Sequence, residues 1–219
     1  YLKLLLYYRV LCTDPKPIGM LSGETGDLNE YKQNSPKFRW LLGVLQTIRS
    51  KQEKVIIFCE YREIQRLLQR NLAMIFGKSP DIINGTVSNS KSVEDNRHER
   101  IKRFSQTNGF SIIILSPIAA GCGLNIQAAN HVIHYMRHWN PAKEDQSTDR
   151  AYRIGQTKDV TVYYPTVYAD DFKTFDMCLD ELLEKKRDLA DDMLNGTHAI
   201  TDIDFELPDL PSIDKDFEA

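Results

Sequence analysis

Long hydrophobic runs, paired cysteines and internal repeats are all missing from this sequence of 219 residues. No apolar stretch approaches the roughly 18 residues that a membrane-crossing helix needs. The apolar opening YLKLLLYYRVLC is short, and Lys3 and Arg9 interrupt it. It has neither the charged start nor the small-residue cleavage site of a signal peptide. Since the first residue is not Met, the chain is expected to be a fragment. The four cysteines, at positions 12, 59, 122 and 178, form no CxxC pair and read as reduced thiols of a cytosolic protein. His131, His134 and His138 lie close in sequence, on a segment that reads as a strand leaving into a loop. They would not share one face, so no metal site is expected there. A strong excess of either charge is also absent: the net charge is -3, which argues against a bulk nucleic-acid binder.

What is present is uneven. Hydrophobic residues make up 42% of the chain, enough for a substantial core, at a mean hydropathy of -0.42. From Ala199 onward the tail holds seven acids and one base. That leaves the body with a net positive charge, so a local basic face is open to it. The tail, with Pro208 and Pro211, has the composition of a poorly ordered segment.

Hydrophobic periodicity organises the rest. Residues 1–17 read as a helix end and a turn, and residues 19–35 as a polar, glycine-rich linker. A helix is predicted from Ser35, which suits the N-cap, and Pro36, which suits the first turn. Phe38, Leu41, Leu42, Leu45 and Ile48 recur at helical spacing. Short apolar runs predict strands at 54–59, 81–85, 110–116, 131–136 and 160–164, and amphipathic patterns predict helices at 61–76, 97–106 and 170–194. Residues 86–96 read as a polar loop. Strands alternating with helices imply βαβ units and a mostly parallel sheet with helices on both faces. In such sheets ligands bind beyond the carboxyl ends of the strands, which directs attention to the segments that follow them.

Two of these carry chemistry. In SPIAAGCGLN (116–125), Gly121 and Gly123 allow backbone N–H groups close to a phosphate or ribose, and Ser116 can donate to a phosphate oxygen. A lone G-x-G is weak evidence, and no GxxxxGK[ST] occurs anywhere. The chain therefore cannot bind and cleave ATP unaided through a phosphate-cradling loop. In DQSTDRAYRIGQ (145–156), Arg150 and Arg153 are three apart, which on a helix points both from one face. Two guanidinium forks that stay charged suit the spread negative charge of a phosphoryl-transfer transition state. The plain alternative is a pair of surface arginines bonded to Asp145, Asp149 or Asp159.

The context of QSTDRAYRIGQ resembles the sixth helicase motif of the Swi/Snf family of superfamily-2 ATPases, Q-x-x-x-R-A-H-R-I-G-Q. Other segments agree in the same order. RVLCTDP resembles the family's inter-lobe segment, SPKFRWLLGVL its S-x-K-x-x-x-L helix, and KVIIFCEY its fourth motif. INGTVSNSKSVEDNRHERIKRF is similar to its D-G-S/T … R-x-x-x-I-x-x-F segment, and SPIAAGCGLNIQAANHVIHYMRHWNP to its fifth motif and the W-N-P that follows. LDELLEKKRDLADDML is similar to the helix that braces the family's second lobe. The resemblance runs from about residue 5 to 194. Departures are Tyr152 where the family usually has His, Cys59 for a usual Ser, and Pro117 where a polar residue is common.

The resemblance implies an α/β fold: a three-layer RecA-like parallel sheet flanked by helices, with a C-terminal bracing helix. It divides the chain into an inter-lobe segment and linker (1–34), the lobe (35–168), the bracing helix (169–198) and the acidic tail (199–219). It also implies the second motor lobe of a DNA-dependent ATPase that moves along double-stranded DNA. The fragment would be inactive without the first lobe, which mainly holds ATP and magnesium. Arg150 and Arg153 would be arginine fingers. Gln146 and Asp149 would arrange that edge, and Gly121, Gly123 and Asn125 would approach the nucleotide. Gly85, Thr86, Arg97, Ser116 and Trp139 would face a DNA strand. The expected partners are duplex DNA and the N-terminal lobe of the same protein, with no membrane. The expected location is the cytoplasm of a prokaryote, or the nucleus of a eukaryote. A strand-separating helicase lobe and a degenerate, non-catalytic scaffold lobe remain as alternatives.

Overall fold

The computed structural model describes residues 2–14, 28–85, 87, 96–120, 124–153 and 155–195, the last five of these by backbone alone. In chain order the elements are α1 (Leu2–Thr13), α2 (Leu28–Asn34), α3 (Pro36–Ser50), β1 (Lys54–Phe58), α4 (Arg62–Phe76), β2 (Asp81–Ile83) and α5 (Arg97–Gln106). They continue with β3 (Ser111–Leu115), α6 (Pro117–Ala120), β4 (His131–His134), α7 (Pro141–Thr148), β5 (Thr161–Tyr163) and α8 (Phe175–Asn195).

The sheet has five strands in the order β2-β3-β1-β4-β5, and every neighbouring pair is parallel. β1 sits at the centre, with Val55 opposite both Ile112 and His131. Strands buried on both faces need apolar side chains at successive positions, and KVIIF and SIIIL supply them: all five residues of β3 and the last four of β1 are buried.

Because strand side chains alternate, this sheet has two cores. On one face, Val55, Ile57, Ile112, Ile114 and Ile133 pack against Phe38, Leu41 and Leu45 of α3 and Ile64, Leu68 and Leu72 of α4. On the other, Ile56, Phe58, Ile113, Leu115 and Val132 pack against Phe104 of α5, and against Leu124, Ile126, Ala129 and Ala151 from irregular segments. The second face is the one that matters for the site.

The helix ends are set locally, and the one start read from sequence, at Ser35 and Pro36, is found. Ser35 Oγ accepts from the Phe38 N–H and Pro36 opens α3. Asn96 Oδ1 accepts from the N–H groups of His98 and Glu99 at the start of α5. α4 ends on Gly77 in the left-handed region, at φ 74°, where glycine carries no steric penalty.

Several expectations are corrected. Part of the segment read as linker is helix α2, because Tyr31 is buried and its ring lies 4.9 Å from Phe38. The strands at β2, β4 and β5 are shorter than expected. α8 begins at Phe175 rather than Asp170, where Thr174 Oγ1 accepts from the Met177 N–H and stops the helix from extending backwards. The glycine turn at 121–123, most of the polar loop at 86–96 and the acidic tail lie outside the described residues.

Candidate functional site

The W-N-P segment shows how the local sequence builds the site. Asn140 Oδ1 accepts from the Ala142 N–H at 3.0 Å and Pro141 occupies the first turn, so Asn140 and Pro141 start α7. The half-buried Trp139 ring faces the other way: it meets Phe175 edge-on at 5.5 Å and stacks under the Arg9 guanidinium at 5.4 Å. Trp139, expected at the DNA, therefore joins α1 to α8.

α7 stops at Thr148, before either arginine, so Arg150 and Arg153 do not share a helix face as the spacing implied. The backbone tightens instead: the N–H groups of Arg150 and Ala151 donate three residues back, to Ser147 and Thr148. The physical reason is Ala151, which is fully buried in the second core. Drawing that residue inward breaks the helical path. The Arg150 carbonyl accepts from the Ile126 N–H at 3.0 Å. Gln156 Nε2 donates to the carbonyls of Ala129, Gln127 and Ala151, at 2.8, 3.0 and 3.3 Å. The arginine turn thus hangs on the segment that leads into β4, not at the carboxyl rim. Gly155 permits the close approach: its φ is 103°, and a Cβ there would lie 3.1 Å from Gln127 Nε2.

Four residues selected from sequence come together on this turn. Gln146, Asp149, Arg150 and Arg153 line one open groove of about 990 Å³. Gln146, Asp149 and Arg153 are exposed and Arg150 is half-buried. Arg150 Nε is buried and has no acceptor among the described residues. Neither arginine forms an ion pair among them, and Asp145, offered in sequence as a partner, bonds Arg187 at 3.2 Å instead. Asn125 is exposed beside Ile126, next to the turn.

Behind the turn lies a charged layer. Glu144 of α7 is fully buried between Arg137, at 2.9 Å, and Arg187 of α8, at 3.0 Å. Arg137 also bonds Asp180. Both guanidinium groups lie over the Tyr164 ring. Burial opposes ionisation of Glu144, but the bonds and charge of Arg137 overcome it and hold the carboxyl below its ordinary value. His134 is stacked between Phe58 and Tyr164, and its Nε2 lies 2.9 Å from Thr148 Oγ1. Burial pushes its imidazole down to about 4. His131 bonds Glu53 at 2.7 Å, and that bond first, with Lys158, pulls the Glu53 carboxyl down to about 2.

The residues expected at DNA are not brought together in the same way. Arg97 is buried, with Nε on the Val87 carbonyl and Nη2 on that of Asn84, so it props the loop after β2. Ser116 is buried, and its Oγ accepts from the Ala119 N–H. Gly85 lies in that same loop, with open space around it except for Arg62. Thr86, Gly121 and Gly123 lie outside the described residues.

Chemically, the groove offers two guanidinium forks and an amide on a rigidly seated turn, a donor set that fits phosphate oxygens. Sequence reasoning missed Gln156, Ala151, Glu144 and Arg187 as its supports. Gln156 and Ala151 sit inside the motif that drew attention, yet nothing in their spacing announces three carbonyl partners or a core position.

Residues 36–155 match the family model for the helicase conserved C-terminal domain. The chain is 51% identical over 177 residues to the Zorya protein ZorD of Escherichia coli O139:H28, covering 80% of this chain and 16% of that protein. It is 37% identical over 169 residues to YwqA of Bacillus subtilis, a protein named as an ATP-dependent helicase/translocase, covering 77% of this chain and 17% of YwqA. Among solved structures it is similar to the Sulfolobus solfataricus SWI2/SNF2 ATPase core in complex with dsDNA, with a TM-score of 0.65 and 27% identity, covering 90% of this chain and 38% of that one. The chain spans about one sixth of the length of the curated relatives it matches.

Proposed function

This chain belongs to the helicase conserved C-terminal domain family, within its Swi2/Snf2 group, and from that premise we propose that it is the second motor lobe of an ATP-dependent double-stranded DNA translocase. Arg150 and Arg153 are its arginine fingers, reaching across a cleft to the γ-phosphate of a nucleotide held mainly by a first lobe. The observation that carries this reading is Nε of Arg150, buried without an acceptor among the described residues, on a turn whose backbone is fastened from below. A buried donor left unpaired costs free energy, and an incoming phosphate oxygen removes that cost only when the lobes close.

The chemistry follows from that difference. ATP and magnesium supply the reacting phosphoryl group and its charge neutralisation. This lobe binds the phosphate oxygens with two fixed forks and holds them in place through the transition state. Because the forks gain their acceptors in the closed arrangement alone, nucleotide binding favours closure and loss of the γ-phosphate favours opening. Each opening and closing shifts the grip of the two lobes along duplex DNA. Gln146 and Asp149 shape the rim beside the forks, and Gly121, Gly123 and Asn125 approach the nucleotide from the adjoining segment. The loop after β2, which carries Gly85 and Thr86 and is propped by Arg97 at Asn84 and Val87, faces the DNA backbone, where contacts position without reading sequence. The isolated lobe is inactive as an ATPase, and a bacterial cytoplasm is its proposed setting.

The test is turnover in the full-length protein with duplex DNA. Arg153→Ala and Arg150→Ala each lower ATPase turnover on the order of 10³-fold, while the melting temperature moves little for the exposed Arg153. An Arg153→Ala protein that hydrolyses ATP at the unaltered rate removes the finger assignment.

A further inference from the structure

Three large apolar side chains stand out of the surface just before α8 or on α3: Tyr168 is 69% exposed, Phe172 62% and Trp40 37%. Trp40 and Tyr168 are walls of a groove of about 260 Å³, completed by Pro36, Tyr164 and Pro165. Trp40 is propped edge-on against Tyr163 of β5, at 6.1 Å. The charges at the groove are already spent on each other: Lys37 bonds Asp176, which also accepts from the Val167 N–H. What remains for a ligand is a slot mainly of tryptophan, tyrosine and proline surfaces, together with Thr166 and Val167. Grooves of that composition take extended, proline-bearing segments, whose rings fill the spaces between aromatic walls at little conformational cost.

The chain carries such a segment. Residues 207–211 read Leu-Pro-Asp-Leu-Pro. Each proline fixes its own φ and biases the residue before it to extended conformations. Three residues apart, Pro208 and Pro211 fall on one face of a polyproline-type helix, which has three residues per turn. The reach is sufficient. α8 has 21 residues and is about 31 Å long. The 12 residues from Gly196 to Leu207 span up to about 40 Å when extended. A tail leaving the end of α8 can therefore run back along that helix to the groove near its start.

We propose that the groove formed by Trp40, Pro165 and Tyr168 is the docking site for residues 207–211 of this same chain, which fastens the acidic tail along the bracing helix. The proposal is independent of the assignment of Arg150 and Arg153.

The test uses the 219-residue chain and the indole N–H resonance of Trp40, told apart from that of Trp139 by a Trp40→Phe variant. Pro208→Ala with Pro211→Ala shifts the Trp40 signal and leaves the Trp139 signal in place. A synthetic peptide of residues 203–215 then binds the double variant. For an intrinsic Kd of about 0.1 mM, a tethered tail at an effective concentration of about 1 mM weakens the added peptide about tenfold on the unaltered chain. Tyr168→Ala, at a largely exposed position that folding does not depend on, abolishes peptide binding. Three results overturn the proposal: no shift at Trp40 with no peptide binding, equal peptide affinity for both chains, or a Trp40 shift that depends on protein concentration. The last assigns the groove to a second copy.

Discussion

The two faces of the central sheet are built on different principles. Against one face, α3 and α4 press Phe38, Leu41, Leu45, Leu68 and Leu72 into alternate isoleucines and valines. Against the other, helical cover comes from α5 and from Ala119 of the short α6, and much of the remaining area is closed by irregular chain carrying Leu124, Ile126 and the small residues Ala129 and Ala151. Bulky side chains anchor a helix as a body. Small ones let backbone lie directly on a sheet, where Gln156 fastens it through three carbonyls. The second arrangement holds a turn at the level of its main chain and leaves Arg150 and Arg153 without an ion pair among the described residues. The first face carries the helical core, and the second seats the arginine turn.

The contrast can be broken by experiment. The largest separation pairs the arginine variants with Leu68→Ala on the first face. Leu68 is fully buried, so its truncation costs about 2–5 kcal/mol of unfolding free energy, read as a lower urea midpoint, while turnover per folded full-length molecule stays the same. If Leu68→Ala slows turnover as strongly as Arg153→Ala, the faces are not functionally distinct.

The next effect is a pH dependence carried by His134, stacked on Phe58 of the second face. The His134 imidazole, held by burial at about 4, takes up its proton in the folded state well below the usual value near 6.5. The unfolded chain binds that proton first as pH falls. Stability is therefore full above about 6.5 and declines towards 4, by about 3 kcal/mol in all. His134→Phe keeps the stack on Phe58 and Tyr164 and removes this part of the slope. Glu53, held at about 2, acts in a lower window: its contribution is present above about 4.5 and is lost as pH falls towards 2. A His134→Phe chain with the original slope between 6.5 and 4 would show that the imidazole is not the group responsible.

A smaller effect on stability than that of Leu68→Ala is expected at Gln156. Gln156→Ala strips one donor group from the carbonyls of Ala129, Gln127 and Ala151, at about 1–3 kcal/mol. Its effect on full-length turnover is larger than that loss suggests, about 10²-fold, because the turn that seats both forks loosens and small misplacements are costly. Equal urea midpoints with turnover untouched would show that Ala151 alone holds the turn.

Much of this could be read beforehand where a residue's role depends on its neighbours in the chain. Apolar runs such as KVIIF and SIIIL read as buried parallel strands because both faces need hydrocarbon. Ser35-Pro36 marked a helix start because capping is satisfied within three residues. α2 was not legible, since LNEYKQN is mostly polar and its buried anchor, Tyr31, is held by Phe38 seven residues on. Trp139 drew notice as part of W-N-P, but its partners Arg9 and Phe175 are distant in sequence.

The sequence by itself determined the five strands, the helices α3, α4, α5 and α8, the family and the presence of two arginines three apart, because these rest on local pattern and motif spacing. Tertiary structure alone decided that the arginines leave the helix, that the turn rests on the chain entering β4, and that Glu144 lies between Arg137 and Arg187. Each of those depends on long-range hydrogen bonds and burial, which set a residue's environment through contacts its own segment does not encode.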